Sequence, residues 1–506
     1  MTRRETRVVP TMIFALCAGI TYGGSVSAHQ AVNPAIMRMI EPGTRLASNP
    51  PDLIEQGRRL FEEETFGGNG RTCASCHPAE NNFTIDAAFI AKLPRRDPLF
   101  VAEFNPALRD LENPFLMRRF GLILENLDGF DQPGVLRSVP HTLGMRQTIT
   151  ADTGISAAVN EPRAGGEASA TGWSHDGSPG DGSLRSFAIG AVIQHFPRTL
   201  NRVPGVDFRL PTEAELDAML AFQLSIGRQA ELVSPTTQDF LDDRVDLGRD
   251  LFFGTVPLTI RNGGTRTCSG CHGLAGSNDT AGVNRQRTTG ANHHPNAPAC
   301  RGNAPGDGGH GNGGTTGGSV FTISKAALCG TGTGDVTFRG NDFFNPPSVI
   351  EAADTGPFFH NNIVDTIEQA VEFYATDAFN NNREDVAANP NRAFVFQTGQ
   401  VNAIAAYLRA INAVDNVRQA RAYIAQTVSR PVPVARRTIR LALADTNDAI
   451  RVLSDGPVPL FEGSQPLTAL RDAQRALARA LLAANPNALG AADAALARAV
   501  TLIQGS

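Results

Sequence analysis

Two copies of one five-residue pattern constrain this chain more than anything else in it: Cys73-Ala74-Ser75-Cys76-His77 and Cys268-Ser269-Gly270-Cys271-His272. Two thiols three positions apart, followed at once by an imidazole, are the attachment signature of a c-type haem. The thiols form thioethers to the two vinyl groups, and the adjacent histidine supplies an axial iron ligand. A zinc knuckle or a redox dithiol also uses C-x-x-C, but neither needs a histidine directly after it, twice. The pattern predicts two covalently attached c-type haems, held by Cys73, Cys76, Cys268 and Cys271, with His77 and His272 as proximal ligands.

The N-terminus reads as an export signal. Arg3, Arg4 and Arg7 form a basic stretch, Thr11 to Gly23 a short apolar one, and Val26-Ser27-Ala28 a small-residue cleavage site. Residues 1–28 are therefore expected to leave as a signal peptide, taking Cys17 with them. The apolar stretch falls short of the ~20 residues that span a bilayer, and no later segment is a continuous apolar run of that length. A soluble periplasmic or secreted protein, with no membrane span after signal cleavage, is expected. That compartment also suits haem attachment. The formal net charge of −5 leaves no basic field for a nucleic acid. The only lysines are Lys92 and Lys325, so a lysine-ringed docking patch is not expected. In an oxidising compartment Cys300 and Cys329, which flank a glycine-rich stretch, can close it as a disulfide worth about 3 kcal/mol. Two free thiols are the alternative. His293, His294 and His310 lie in the same stretch and carry no assignment.

The flanks of the motifs repeat as well. Gln56-Gly57-Arg58-Arg59-Leu60-Phe61, a Gly/Asn turn and Arg71-Thr72 precede the first; Leu247-Gly248-Arg249-Asp250-Leu251-Phe252, Asn262-Gly263-Gly264 and Arg266-Thr267 precede the second. Downstream, Arg137-Ser138-Val139-Pro140, His175-Asp176-Gly177 and Leu184-Arg185-Ser186-Phe187 are echoed by Asn345-Pro346-Pro347-Ser348, His360-Asn361-Asn362 and Ile367-Glu368-Gln369-Ala370. The spacing predicts two haem domains in tandem, residues 50–235 and 236–415. Each closes with a helix-like run, Glu213 to Ile226 and Val401 to Ile411. Residues 433–506 carry apolar helical faces (Ile439, Leu443, Ile450 and Leu453; Leu467, Leu470, Leu477 and Leu481; Leu489, Leu496, Val500 and Ile503) broken at Pro466 and Pro486. They read as a helical appendage without chemistry of its own, packed on the haem domains or docking a partner. The expected fold is mainly α: two tandem cytochrome c-like haem domains with long loops, plus the C-terminal appendage.

On these residues the chain resembles the di-haem cytochrome c peroxidase and MauG superfamily, over roughly residues 50–415. The second half carries the closest likeness: Phe344-Asn345-Pro346-Pro347-Ser348-Val349 through Gly356-Pro357-Phe358-Phe359-His360 is similar to the family's P-S-L-R-N and A-P-Y-F-H-x-G signature. The resemblance implies a division of labour. Peroxide or oxygen reacts at the N-terminal haem, and the C-terminal haem exchanges electrons with a small redox protein. The peroxidases put a methionine on the C-terminal iron, at the end of the helix after P-Y-F-H. Tyr374 stands there, and no methionine follows Met219. The MauG branch uses tyrosine, and a phenolate favours oxidised iron where a methionine raises the potential. His360 is the competing sixth ligand; helix packing for Tyr374 and a supporting role for His360 are the bland alternatives.

The first half departs from the family pattern. No histidine occurs between His77 and His141. At the family's F-W-D-G-R motif the run is Gly172-Trp173-Ser174-His175-Asp176-Gly177, which makes Trp173 or His175 the candidate inter-haem relay; a core aromatic is the alternative for Trp173. Where the family brings a glutamine over the N-terminal iron, Phe187 falls. A phenyl ring cannot hydrogen-bond peroxide, and it suits dioxygen or an apolar substrate. Gln194, His195, His175 or Arg185 remains to supply a polar group. The family also holds calcium through an asparagine before the first proline motif; Ser138 stands at that position and argues against calcium. The leading expectation is an exported di-haem oxidoreductase of the peroxidase/MauG type. The alternatives are an oxygenase acting on an apolar organic substrate and an electron carrier with both irons capped.

Overall fold

The computed structural model describes residues 50–125, 134–145, 184–227, 238–280, 287–302, 306–309, 320–380, 391–427, 432–457, 459–461, 464–483 and 486–505. The segment expected to be a signal peptide (residues 1–28), Trp173 and His175 lie outside the described residues.

The protein is mainly helical. In the first half, α1 (Pro50–Glu63), α2 (Pro114–Phe120), α3 (Leu184–His195) and α4 (Glu213–Gln223) frame the first motif. In the second half, α5 (Asp243–Phe253), α6 (Ile367–Phe373) and α7 (Gln400–Thr427) frame the second. The starts of these helices are written locally. Thr212 and Glu215 form a reciprocal capping box at α4, Thr366 and Gln369 form another at α6, and Asp242 caps α5.

The halves share one structural unit. α1 crosses α4, and α5 crosses α7, each at a glycine. A Cβ on Gly57 would stand 1.8 Å from the Ala218 carbonyl oxygen, and one on Gly248 would stand 1.9 Å from that of Ala403. Only a residue without Cβ lets the backbones approach so closely. The aromatic lining repeats too. The rings of Phe61 and Phe222 lie 5.3 Å apart, those of Phe252 and Tyr407 5.5 Å apart.

The closing helix of the second half departs from the expected end near Ile411. α7 continues to Thr427 as a single 28-residue helix. Val414, Val417, Ala420 and Ile424 keep its apolar face going, and all four are buried. That face packs against α8 (Val432–Ser454) and α10 (Pro486–Gln504), with α9 (Gln465–Ala483) between them in sequence. One core therefore runs without a break from Phe240, Val245 and Leu251 through Tyr407 and Val417 to Leu470, Leu496 and Ile503. The Leu241 N–H donates to the Ile503 carbonyl at 3.1 Å. No helix among the described residues is long and apolar enough to cross a membrane.

Strands are few. β1 (Leu122–Glu125) and β2 (Val135–Ser138) pair antiparallel, and β3 (Leu258–Thr259) pairs with β4 (Thr265–Arg266) just before the second motif. The glycine-rich stretch of the second half holds a three-stranded sheet of order β5-β7-β6: β5 is Gly306–Gly309, β6 Val320–Ser324 and β7 Asp335–Phe343. The Cys300–Cys329 disulfide closes the loop that carries β5 and β6, with the two Cα atoms 5.6 Å apart.

Candidate functional site

Both motifs open onto one cavity of about 700 Å³, whose wall includes Cys73, Cys76, His77, Cys268, Cys271 and His272. Each motif begins as a single 3₁₀ turn, Cys73–Ser75 and Cys268–Gly270. Ser75 Oγ accepts the Thr72 N–H at 2.9 Å, and Thr267 Oγ1 accepts the Gly270 N–H at 3.1 Å. The histidine N–H then folds back on the first cysteine: His77 to the Cys73 carbonyl at 2.9 Å, His272 to that of Cys268 at 3.0 Å. Two thiols and an imidazole thus share one tight turn, twice.

The two imidazoles are oriented alike. His77 Nδ1–H donates to the Phe83 carbonyl at 2.9 Å, and His272 Nδ1–H donates to the Pro347 carbonyl at 3.0 Å. A ring tied this way keeps the lone pair of Nε2 for a metal. Burial pushes the His77 pKa down to about 4 and lowers that of His272, so both rings are neutral at pH 7, the form that ligates. The acceptors come from different places. Phe83 is held at φ 54, a left-handed conformation that costs a non-glycine residue about 1–3 kcal/mol. Pro347 comes from the Pro-Pro-Ser segment. The motif cysteines are unbridged, and burial pushes Cys73 and Cys268 up to about 12 and Cys76 up to about 11, so they are neutral thiols.

Two helices supply the facing walls. From α3 come Phe187, Ala188, Ala191 and His195; from α6 and its C-cap come Ile367, Ala370, Val371 and Tyr374. Phe187 therefore lies on the cavity wall. Arg185 turns away to pair with Glu213 and Asp217 on α4. Gln194 is buried, and its Nε2 has no hydrogen-bond partner among the described residues. His195 is the polar residue that α3 presents to the cavity. Its spacing from Phe187, Ala188 and Ala191 on one helical face was the signal available in the sequence.

Tyr374 and His360 both line the cavity, in different states. His360 Nε2 is 3.0 Å from Asn292 Oδ1, and its ring stacks on Phe344 at 3.6 Å. Its carbonyl accepts the Ser138 N–H at 2.7 Å, so it sits at a junction between the halves. The Tyr374 hydroxyl makes no hydrogen bond to any described residue. Its ring packs edge-on to Phe379 at 5.0 Å, and burial raises its pKa above the ordinary phenol value. Ser138 Oγ donates to the Phe359 carbonyl at 3.0 Å, which spends that hydroxyl on joining the halves. Among the described residues no group of three or more His, Cys, Asp or Glu side chains is arranged to hold a metal ion.

His141 forms a second tie between the halves. Its Nε2 lies 3.4 Å from the Ser348 carbonyl, one residue past the carbonyl that orients His272. Comparison with known protein families finds no matching model, and comparison with curated proteins finds no match.

Proposed function

We propose that this chain is an exported di-haem c-type oxidoreductase of the cytochrome c peroxidase/MauG type, reacting with peroxide or oxygen at its first site and exchanging electrons through its second. The observation that carries this reading is the duplicated proximal arrangement: two unbridged thiols and a neutral imidazole with its Nδ1–H fixed on a carbonyl, occurring twice on one cavity. Those groups fit a covalently held haem at each motif. A c-type haem held there would supply an iron able to exchange single electrons and to take a small oxygen ligand.

The chain's residues then divide the work. Cys73 and Cys76 anchor the first haem and Cys268 and Cys271 the second, while His77 and His272 supply the proximal nitrogens. Tyr374 is the better sixth ligand at the second site, because its hydroxyl is uncommitted where His360 Nε2 already engages Asn292. Reducing peroxide to two waters takes two electrons and two protons. A small redox protein would supply the electrons, with Trp173 or His175 the sequence's candidate relay. Phe187 keeps the first pocket apolar, and that favours a second reading, oxygenation of an apolar substrate.

The pyridine haemochrome of the purified protein tests the premise; two haems per chain are expected, falling to one in Cys73→Ser/Cys76→Ser. Electron paramagnetic resonance of the ferric protein then tests the reaction. A high-spin signal beside a low-spin one, with the high-spin signal lost on adding peroxide, is expected. Two low-spin signals that survive reduction and peroxide would make the protein an electron carrier. Oxygen uptake with an organic substrate, without peroxide turnover, would select the oxygenase.

A further inference from the structure

The walls facing the two motifs differ at one register position. The helix starts Leu184 and Ile367 correspond in the repeat, so Phe187, Ala188 and Ala191 match Ala370, Val371 and Tyr374. All six line the cavity. Where the second site receives a phenol, the first receives a methyl group. One turn beyond that gap stands His195, the last residue of α3.

The fold holds His195 there through the first motif's own leader. Asn69 Nδ2 donates to the His195 carbonyl at 2.9 Å and to the Pro197 carbonyl at 3.0 Å, and the Asn69 N–H donates to the Phe196 carbonyl at 2.7 Å. Gly68 makes the approach possible, since a Cβ there would stand 2.1 Å from the Phe196 oxygen. The Gly-Gly-Asn-Gly turn that leads into Cys73 thus clamps the end of α3. In the second half the corresponding clamp is the Phe394 N–H on the Tyr374 carbonyl, at 2.9 Å. Each clamp fixes the residue that faces its motif. His195 Nδ1 is buried with no hydrogen-bond partner among the described residues. Burial, with Arg71, Arg202 and His77 nearby, keeps the ring neutral. A neutral imidazole can donate from one nitrogen and accept at the other.

We propose that His195 is the side chain that hydrogen-bonds a small oxygen ligand, peroxide or dioxygen, held at the first iron in the space Ala191 leaves where the second site has Tyr374. This rests on haem attachment at His77. It assigns the polar partner that Phe187 cannot be, and it makes the first site open and the second closed by a single helix position.

Cyanide binding to the ferric holoprotein, followed by absorbance and by electron paramagnetic resonance, tests it. One iron per chain is expected to bind cyanide. His195→Ala should weaken that binding roughly tenfold or more, the loss of a hydrogen bond to a charged ligand, and His195→Gln should recover part of it. Ala191→Phe should block binding at the first site while leaving the low-spin signal of the second unchanged. Haem content and melting temperature establish that each variant is folded and loaded. Unchanged cyanide affinity in His195→Ala overturns the proposal. So does a first iron that rests low-spin in the wild type and turns high-spin in His195→Ala, which would make His195 an internal ligand. A wild-type count below two haems per chain, or a count that stays at two in Cys73→Ser/Cys76→Ser, would instead strike the attachment reading beneath it.

Discussion

Tyr374 and Arg71 carry opposite kinds of burden at the scale of single residues. Tyr374 is half-buried on the cavity wall with its hydroxyl uncommitted to any described residue, which leaves it free to ligate an iron. Tyr374→Phe should therefore change the low-spin resonance of the ferric protein and raise the potential of the second haem, because a phenolate favours the oxidised state. A spectrum identical to wild type would return the tyrosine to ordinary packing. Arg71, two positions before Cys73, is only 1% exposed. Its guanidinium donates to Glu112 Oε1 at 2.8 Å and to the Leu99 carbonyl at 2.7 Å, and the other oxygen of Glu112 accepts the Leu124 N–H at 2.9 Å. Burial pushes the Glu112 carboxyl up against the pull of Arg71. Arg71→Met leaves that carboxylate buried and unpaired, and should cost about 3–5 kcal/mol in urea unfolding. The double variant Arg71→Met/Glu112→Leu should lose much less. A double loss equal to the sum of the two single losses would show that the residues act independently.

At the scale of elements, the glycine crossings make the sharpest forecast. Gly57→Ala and Gly248→Ala each drive a methyl into a backbone carbonyl, and overpacking of this kind costs about 1–3 kcal/mol. Both should lower the melting temperature. Gly490, within α10, meets nothing within 4 Å of an added Cβ. Gly490→Ala should raise stability by about 0.5–1 kcal/mol, since alanine is the better helix former. If all three shifted stability alike, the crossings would not be the close contacts described. Both crossings fall in segments whose repetition is visible in the sequence, as are the two turns holding thiols and imidazole. The partners of those segments were not visible. Nothing near Phe83 or Pro347 marks them as acceptors for His77 and His272, because a backbone carbonyl has no sequence signature and its direction comes from φ and ψ. The end of α7 was misplaced for a related reason. The apolar spacing continues through Val414, Val417 and Ile424, but the helices it packs against, α8 and α10, lie later in the chain and nothing in that spacing identifies them.

At the scale of the whole molecule, three regions meet on a set of buried carboxylates. Asp354 lies in the turn before α6, Asp445 and Asp448 lie on α8, and Asn82 reaches them from the first half. Asn82 Nδ2 is 3.3 Å from the Asp354 carbonyl and 3.4 Å from Asp448 Oδ2. Asn412 and Asn416 of α7 donate to Asp354 Oδ2 at 3.0 and 2.7 Å, and Arg451 donates to Asp448 at 2.9 Å. One cation beside three carboxylates does not offset their desolvation. Burial and the neighbouring Asp448 push Asp354 up to about 7, and burial with Asp448 and Asp354 pushes Asp445 well above the usual carboxylate range. The folded protein therefore holds protons that the unfolded chain releases. The contribution of these carboxylates to stability is greatest below the ordinary carboxylate value of about 4 and falls as pH rises towards neutrality. Buried neutral His141 and His195, pushed down to about 4 and about 3, work the other way. They lose stability as pH falls below about 6.5, so the test compares variant with wild type rather than reading one curve. Asp445→Asn removes a charge at nearly constant volume. The holoprotein variant should match wild type in melting temperature near pH 4.5 and exceed it at pH 8, with a shallower decline between. A parallel decline in both would place the proton uptake elsewhere, and the joint between the two repeated halves and the C-terminal helices would then be insensitive to pH.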